Sequence, residues 1–257
     1  MPVVAPTAQK HPFTWPEGKR CGISLSFDDG RASAVDVGVP LFDRFGVKAT
    51  FYVMPHSVEQ RHAAWQAAAD AGHEMGCHTL THPCSGNIAF VRRRGNALEE
   101  YTLEQMEQEL LGANDAIEQL LGTRPRTFAY PCYHTFVGKG EQRQSYVPLV
   151  ARHFVAGRIG LNEFAADPSA CDLAALPSLS SDHASWEFLK SAIDRAREDR
   201  SWLVFAGHDV SEPAPHGVGQ RELEQLCAYC TDPANEVWID TVANIGTYVH
   251  QQQAALV

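Results

Sequence analysis

Two adjacent carboxylates, Asp28 and Asp29, stand at the end of an alternating run and before a glycine, in Ser26-Phe27-Asp28-Asp29-Gly30. Like charges this close repel, and burying them is costly unless a cation sits with them or one takes a proton. Gly30 lets the backbone turn sharply away. Alone, the pentapeptide reads equally well as a cation-holding corner or as a solvated Asp-Gly turn. His78-Thr79-Leu80-Thr81-His82 then sets two imidazoles four residues apart. On one helical turn that spacing puts both rings on one face, where they can share an ion. A third imidazole, His208, ends the apolar run Trp202-Leu203-Val204-Phe205-Ala206-Gly207. Two histidines, one carboxylate and open positions describe a catalytic metal site rather than a closed structural one. Zinc is the default for that donor set, and other divalent metals suit it too. Cys227 and Cys230 form a C-x-x-C inside a helical-looking stretch with no second pair to complete a zinc site, so they read as free thiols rather than a redox or metal motif.

The elements that must hold these groups alternate. Cys21–Phe27 places Cys21, Ile23, Leu25 and Phe27 on one face of a strand. Residues 34–45 have helical spacing and stop at Gly46, and 48–54 are rich in β-formers. Ser57 is placed to cap a helix running to Asp70, and residues 73–77 fit a third strand. Thr102, with Gln105 three residues on, opens a long amphipathic helix that ends at Gly122. Further strands are expected at 127–130, 154–159, 202–206 and 236–239, with helices at 146–153, 185–200, 220–230 and 241–250. Residues 162–176 are weakly patterned. The alternation argues for a parallel sheet, closed as a barrel or doubly wound, whose C-terminal strand ends carry the site. Asp28, His78 and His208 all fall at such ends.

The chain has 257 residues and a net charge of −10, which suits one large α/β domain and disfavours broad contact with nucleic acid or an anionic membrane. On that balance a neutral or basic substrate fits better. Residues 1–20 read as an extended lead-in and 21–257 as one domain. Residues 1–15 hold no apolar run of signal-peptide length and no later stretch is long enough to span a bilayer, so the expected location is the cytoplasm. Seven irregularly spaced cysteines are expected to be free thiols.

Together the motifs resemble the NodB-homology polysaccharide deacetylases, carbohydrate esterase family 4. The resemblance rests on Ser26–Gly30, on Gly72-His73-Glu74-Met75-Gly76-Cys77-His78-Thr79-Leu80-Thr81-His82, and on Leu203–Asp209, in that order. It implies an α/β fold, a distorted (β/α)7–8 barrel in a single domain. It also implies a divalent metal, zinc first and cobalt, nickel, manganese or iron as alternatives, held by Asp29, His78 and His82. Asp28 would be the general base and His208 the proton donor to the leaving group. The backbone N–H of Cys132 would help hold the oxyanion. His73, Glu74, Pro131 and Tyr133 would pack around the site as outer-shell residues. The implied substrate is an N- or O-acetylated carbohydrate, without nucleic acid or membrane partners and with a homo-oligomer allowed.

Two family features are missing. Ala129 stands where the third motif has an arginine that orients the catalytic aspartate, leaving Arg126, Arg158 or the Arg92–Arg94 run as replacements. No Asp-Trp pair occurs, so the partner of His208 must come from elsewhere. These departures leave open a hydrolase of the same barrel that opens a ureide or cyclic imide, and an inactive sugar-binding barrel.

Overall fold

The computed structural model describes residues 13–160, 165–211 and 215–255. Its centre is the strand Cys21–Phe27, buried along its whole length. One edge pairs in parallel with Trp202–Gly207, from Gly22 against Trp202 to Phe27 against Gly207. The other edge is shared: Thr50–Val53 takes its upper end and Val237–Ile239 its lower. Glu74–Cys77, Thr127–Ala129 and Ala156–Arg158 continue outward from Thr50–Val53, all parallel. The two outer ends of this sheet meet through one short segment. Leu176 exchanges hydrogen bonds with Gly157 and Ile159 at 2.8 Å each, and Leu179–Ser180 pairs with Phe205–Ala206. The result is a distorted barrel of parallel strands wrapped by helices, in one domain.

Strands buried on both faces obey a strict two-residue period. Ile23, Leu25, Phe27, Phe51, Val53 and Met75 face outward into the main core, where Leu189, Ile193, Leu223 and Leu226 of the surrounding helices cover them. The alternate positions face the barrel interior, which is narrow. Ser24 accepts a hydrogen bond from the Trp202 indole, and the Tyr52 ring lies where any side chain at Gly76 would collide with it at 2.5 Å. The same parity carried one residue past each strand end brings Asp28, His78 and His208 to one rim.

The opposite end is plugged by the last helix, Val242–Ala254, whose Ile245 and Val249 pack with Trp15 and Trp202. Phe13 and Trp15 therefore belong to the barrel base, and residues 1–12 of the expected lead-in lie outside the described residues.

Most expected elements form, with informative differences. The 34–45 segment is a π-turn, Ala34–Gly38, continued by Val39–Arg44. The 57–70 segment splits into Pro55–Gln60 and His62–Asp70, because Arg61 leaves the helical region at φ −135°. Leu103–Leu121 is capped as its sequence predicts, with Thr102 and Gln105 bonding reciprocally and Gly122 left-handed at its end. The closing strand Leu179–Ser180 has only two residues and carries no periodic signal.

Candidate metal centre and catalytic rim

A cavity of about 580 Å³ opens at the C-terminal ends of the strands. Asp28, Asp29, His78, His82, Cys132, Tyr133 and His208 all line it. The sequence-predicted chemical residues therefore meet in one place.

Asp29 Oδ1 lies 3.6 Å from His78 Nε2 and 3.6 Å from His82 Nε2. Metal–ligand bonds of about 2.1 Å in a tetrahedral shell put neighbouring donors roughly 3.4 Å apart, so the three atoms fit around one ion. The tautomers fit as well. His78 Nδ1 is 2.9 Å from the Ala129 carbonyl, which can only accept, so the hydrogen stays on Nδ1 and Nε2 is free to ligate. Burial, reinforced by the neighbouring His78, pulls the His82 pKa down to about 4, so this ring is neutral at physiological pH. For Asp29, burial pushes the pKa up, but His78, His82 and Arg31 outweigh it and keep the carboxyl ionised. Arg31 grips the second oxygen, Oδ2, at 2.8 and 3.1 Å, leaving Oδ1 to face the imidazoles.

The histidine pair is not on a helical turn, as its spacing suggested. Thr79 and His82 are both left-handed, at φ +67° and +56°, so residues 78–82 form an irregular loop. Glu109 holds the loop from the long helix. Its carboxylate accepts from Leu80 N at 3.0 Å, Thr81 N at 2.9 Å and Thr81 Oγ1 at 2.7 Å. Asp29, Cys132 and Tyr133 also have positive φ, so five of the nine described non-glycine residues with positive φ stand at this rim. Such conformations persist only where surrounding contacts enforce them. Gly30 is needed for a further reason: a Cβ there would lie 2.3 Å from Ser57 Oγ.

Asp28 is buried, and its partner is Arg158, which is also fully buried and bonds Asp28 Oδ1 through Nη2. Burial alone would push the Asp28 pKa up, but the guanidinium charge, with His78 and His208 adding, holds it below the ordinary carboxylate value. Of the arginines considered as replacements for the one missing from the third motif, Arg158 is the one seen to bond Asp28. It arrives from the neighbouring strand, where it is the register partner of Ala129. Arg126 is engaged elsewhere, on Thr247 Oγ1, and Arg92 bonds the Gly86 carbonyl. Sequence reasoning named Arg158 as one option of several, but only the register selects it.

His208 also has a partner that the sequence hid. Asp182 accepts from its backbone N–H at 3.1 Å, and its other oxygen lies 2.6 Å from Nδ1. Burial lowers the His208 pKa, but Asp182 and then Asp28 raise it by more, which favours the protonated ring. Asp182 lies just beyond the two-residue strand Leu179–Ser180, beside the end of Trp202–Gly207.

Cys132 is not a free thiol: it is joined by a disulfide to Cys84, 48 residues away, with the Cα atoms 6.0 Å apart. The expectation of seven free thiols is corrected here. Nothing in the spacing marks the pair, because the fold alone brings the two loops together. Pro131 opens the turn Pro131–Tyr133, and the Tyr133 ring lies over Gly160, where a Cβ would clash at 2.5 Å. Cys227 and Cys230 are buried in the helix Gln220–Thr231, where burial pushes the Cys227 thiol up to about 12.

His73 and Glu74 do not touch the metal-ligand set, contrary to their expected outer-shell role. They sit at the far end of their strand. His73 Nδ1 accepts from Ala49 N, and Glu74 accepts from Thr50, Thr127 and Ala243.

Residues 16–135 match the polysaccharide deacetylase family. That stretch is similar to the polysaccharide deacetylase domain. Over 110 residues the chain is 30% identical to the peptidoglycan-N-acetylglucosamine deacetylase PgdA of Listeria monocytogenes, covering 42% of this chain. The matched part is about a fifth of that relative, at 21% of its length. Two solved structures share the fold. One is a family 4 acetyl xylan esterase from Clostridium thermocellum in complex with a cobalt ion (TM-score 0.57, 19% identity, covering 88% of this chain and 91% of that one). The other is PuuE allantoinase (TM-score 0.67, 14% identity, covering 92% of each chain). Among the described residues no helix is long and apolar enough to cross a membrane.

Proposed function

We propose that the protein is a metal-dependent hydrolase that removes acetyl groups from an N- or O-acetylated carbohydrate. The observation that carries this reading is the sharing of one cavity by three elements. These are the donor set Asp29, His78 and His82, the Arg158-paired carboxylate of Asp28, and the Asp182-paired imidazole of His208.

A divalent metal at the donor set, zinc by preference with cobalt, nickel, manganese or iron as alternatives, would act as Lewis acid to the acetyl carbonyl and acidify water. Asp28, kept ionised by Arg158, is placed to take the proton of the attacking water. His208 is held in one orientation by the two bonds to Asp182, which also favour its protonated form, so it can give a proton to the leaving amine or alkoxide. A base and an acid with pKa values pushed apart is the combination that acyl hydrolysis needs. The Cys132 N–H is offered as oxyanion donor, and any non-proline backbone serves there. Pro131 and Tyr133 shape the turn that presents it.

The barrel does not by itself choose the bond broken, because the same fold appears in an esterase and in an allantoinase. The deacetylase domain match and the completed acid–base pair favour acetyl transfer to water. Acetate release from acetylated chitooligosaccharides and xylooligosaccharides, with chelator and then with zinc or cobalt restored, tests the proposal. Chelator-sensitive acetate supports it. A metal-binding protein that releases no acetate but opens a ureide or cyclic imide ring would replace it.

A further inference from the structure

The cavity mouth does not share the acidic balance of the whole chain. Apart from the residues already assigned to catalysis, Arg31, His56, Gln60, Phe90, Arg94 and His216 line it. Its only lining carboxylates among the described residues are Asp28 and Asp29, and each already has a guanidinium partner, Arg158 and Arg31. Arg94 faces the same space with no carboxylate or hydrogen-bond partner among the described residues. Its Cζ lies 5.3 Å from the centroid of the Phe90 ring, and that ring is 6.3 Å from the His82 ring. An aromatic side chain packed beside the metal-ligating loop thus holds a guanidinium at the cavity with its donors unspent. In a chain of net charge −10, a concave site whose two carboxylates are both paired and which keeps one guanidinium unpaired is a local feature that can attract and orient an anion.

We propose that the cavity selects an acidic acetylated saccharide: a carboxylate on a sugar next to the acetylated one is bound by Arg94, which lines the same cavity as the Asp29-paired Arg31. This rests on the deacetylase reading of the same cavity and adds the substrate class to it. It also reverses the preference for a neutral or basic substrate drawn from total charge, which averages over surfaces that the substrate never meets. A guanidinium fork matches a carboxylate with two parallel hydrogen bonds, and such charge-assisted contacts are the strong ones.

The test compares acetate release from three substrates. They are a tetrasaccharide alternating N-acetylglucosamine with glucuronate, the same compound with its carboxylates methyl-esterified, and N-acetylchitotetraose. The acid is expected to exceed its ester in kcat/KM by about tenfold, consistent with one charged hydrogen-bonding contact. That ratio should shrink as salt is raised. R94A should bring the ratio towards one, R94K should keep part of it, and R94E should turn it in favour of the ester. Equal rates on acid and ester, a ratio indifferent to R94A and R94E, or acetate from chitotetraose alone would each overturn the inference. Silence from all three substrates would instead count against the deacetylase reading itself.

Discussion

Two carboxylates face the interior of this barrel, one at each end, and they are held in opposite ways. Asp28, at the C-terminal rim, pairs with the buried cation of Arg158, and its pKa is lowered. Glu74, near the base, is held by Thr50, Thr127 and the backbone N–H of Ala243 in the first turn of the last helix. Burial outweighs those neutral donors, and its pKa is raised. Both groups face the same narrow interior. What separates the proposed base from the carboxylate at the barrel base is the charge of the partner.

Removing the cation should break that difference most severely. Arg158→Met leaves Asp28 buried without its counter-charge. We expect a stability loss of about 3–5 kcal/mol and an activity loss of at least about 100-fold, read by denaturant unfolding and acetate release. Arg158→Lys should recover part of both, since it restores charge without the fork.

The acid side should move next. Asp182→Asn removes the carboxylate that raises the His208 pKa. The acid must be protonated to act, so the alkaline limb of the kcat profile should shift to lower pH, with kcat down by roughly 10- to 100-fold. An unmoved limb would show that His208 is not the titrating donor.

The smallest effect is expected at the base. A carboxyl whose folded pKa is raised adds stability that is complete below its unfolded pKa and is lost as pH rises through the folded value. Glu74's own contribution should therefore be lost upward from the ordinary glutamate range, near pH 4.3, as a downward slope in the difference between wild type and a Glu74 variant. Glu74→Gln should remove that contribution, cost less than about 1.5 kcal/mol at low pH and leave acetate release nearly intact. A large activity loss would mean that the base and the rim are coupled.

Which parts were legible in advance follows from the same physics. Asp28, Asp29, His78, His82 and His208 are readable because each sits at or just beyond a strand end in a short contiguous motif. The long helix is readable because its period and both caps agree. Arg158 gains its role only through the register that sets it opposite Ala129, and register is a property of paired strands. Asp182 follows a strand too short to show alternation, and Glu109 is one polar residue on the mostly apolar face of a helix. The Cys84–Cys132 link depends on two loops meeting in space. Local pattern therefore marks the chemical groups, while long-range pairing supplies what holds them.

The most direct measurement is the metal content and acetate release of Asp28→Asn, taken on one preparation beside His78→Ala. We expect Asp28→Asn to keep close to one metal per chain while losing roughly 100- to 10,000-fold in kcat, as befits a base outside the ligand set. His78→Ala should lose the metal itself. Metal lost together with activity in Asp28→Asn would place Asp28 among the ligands, and activity kept in that variant would remove it from catalysis; either result contradicts the account.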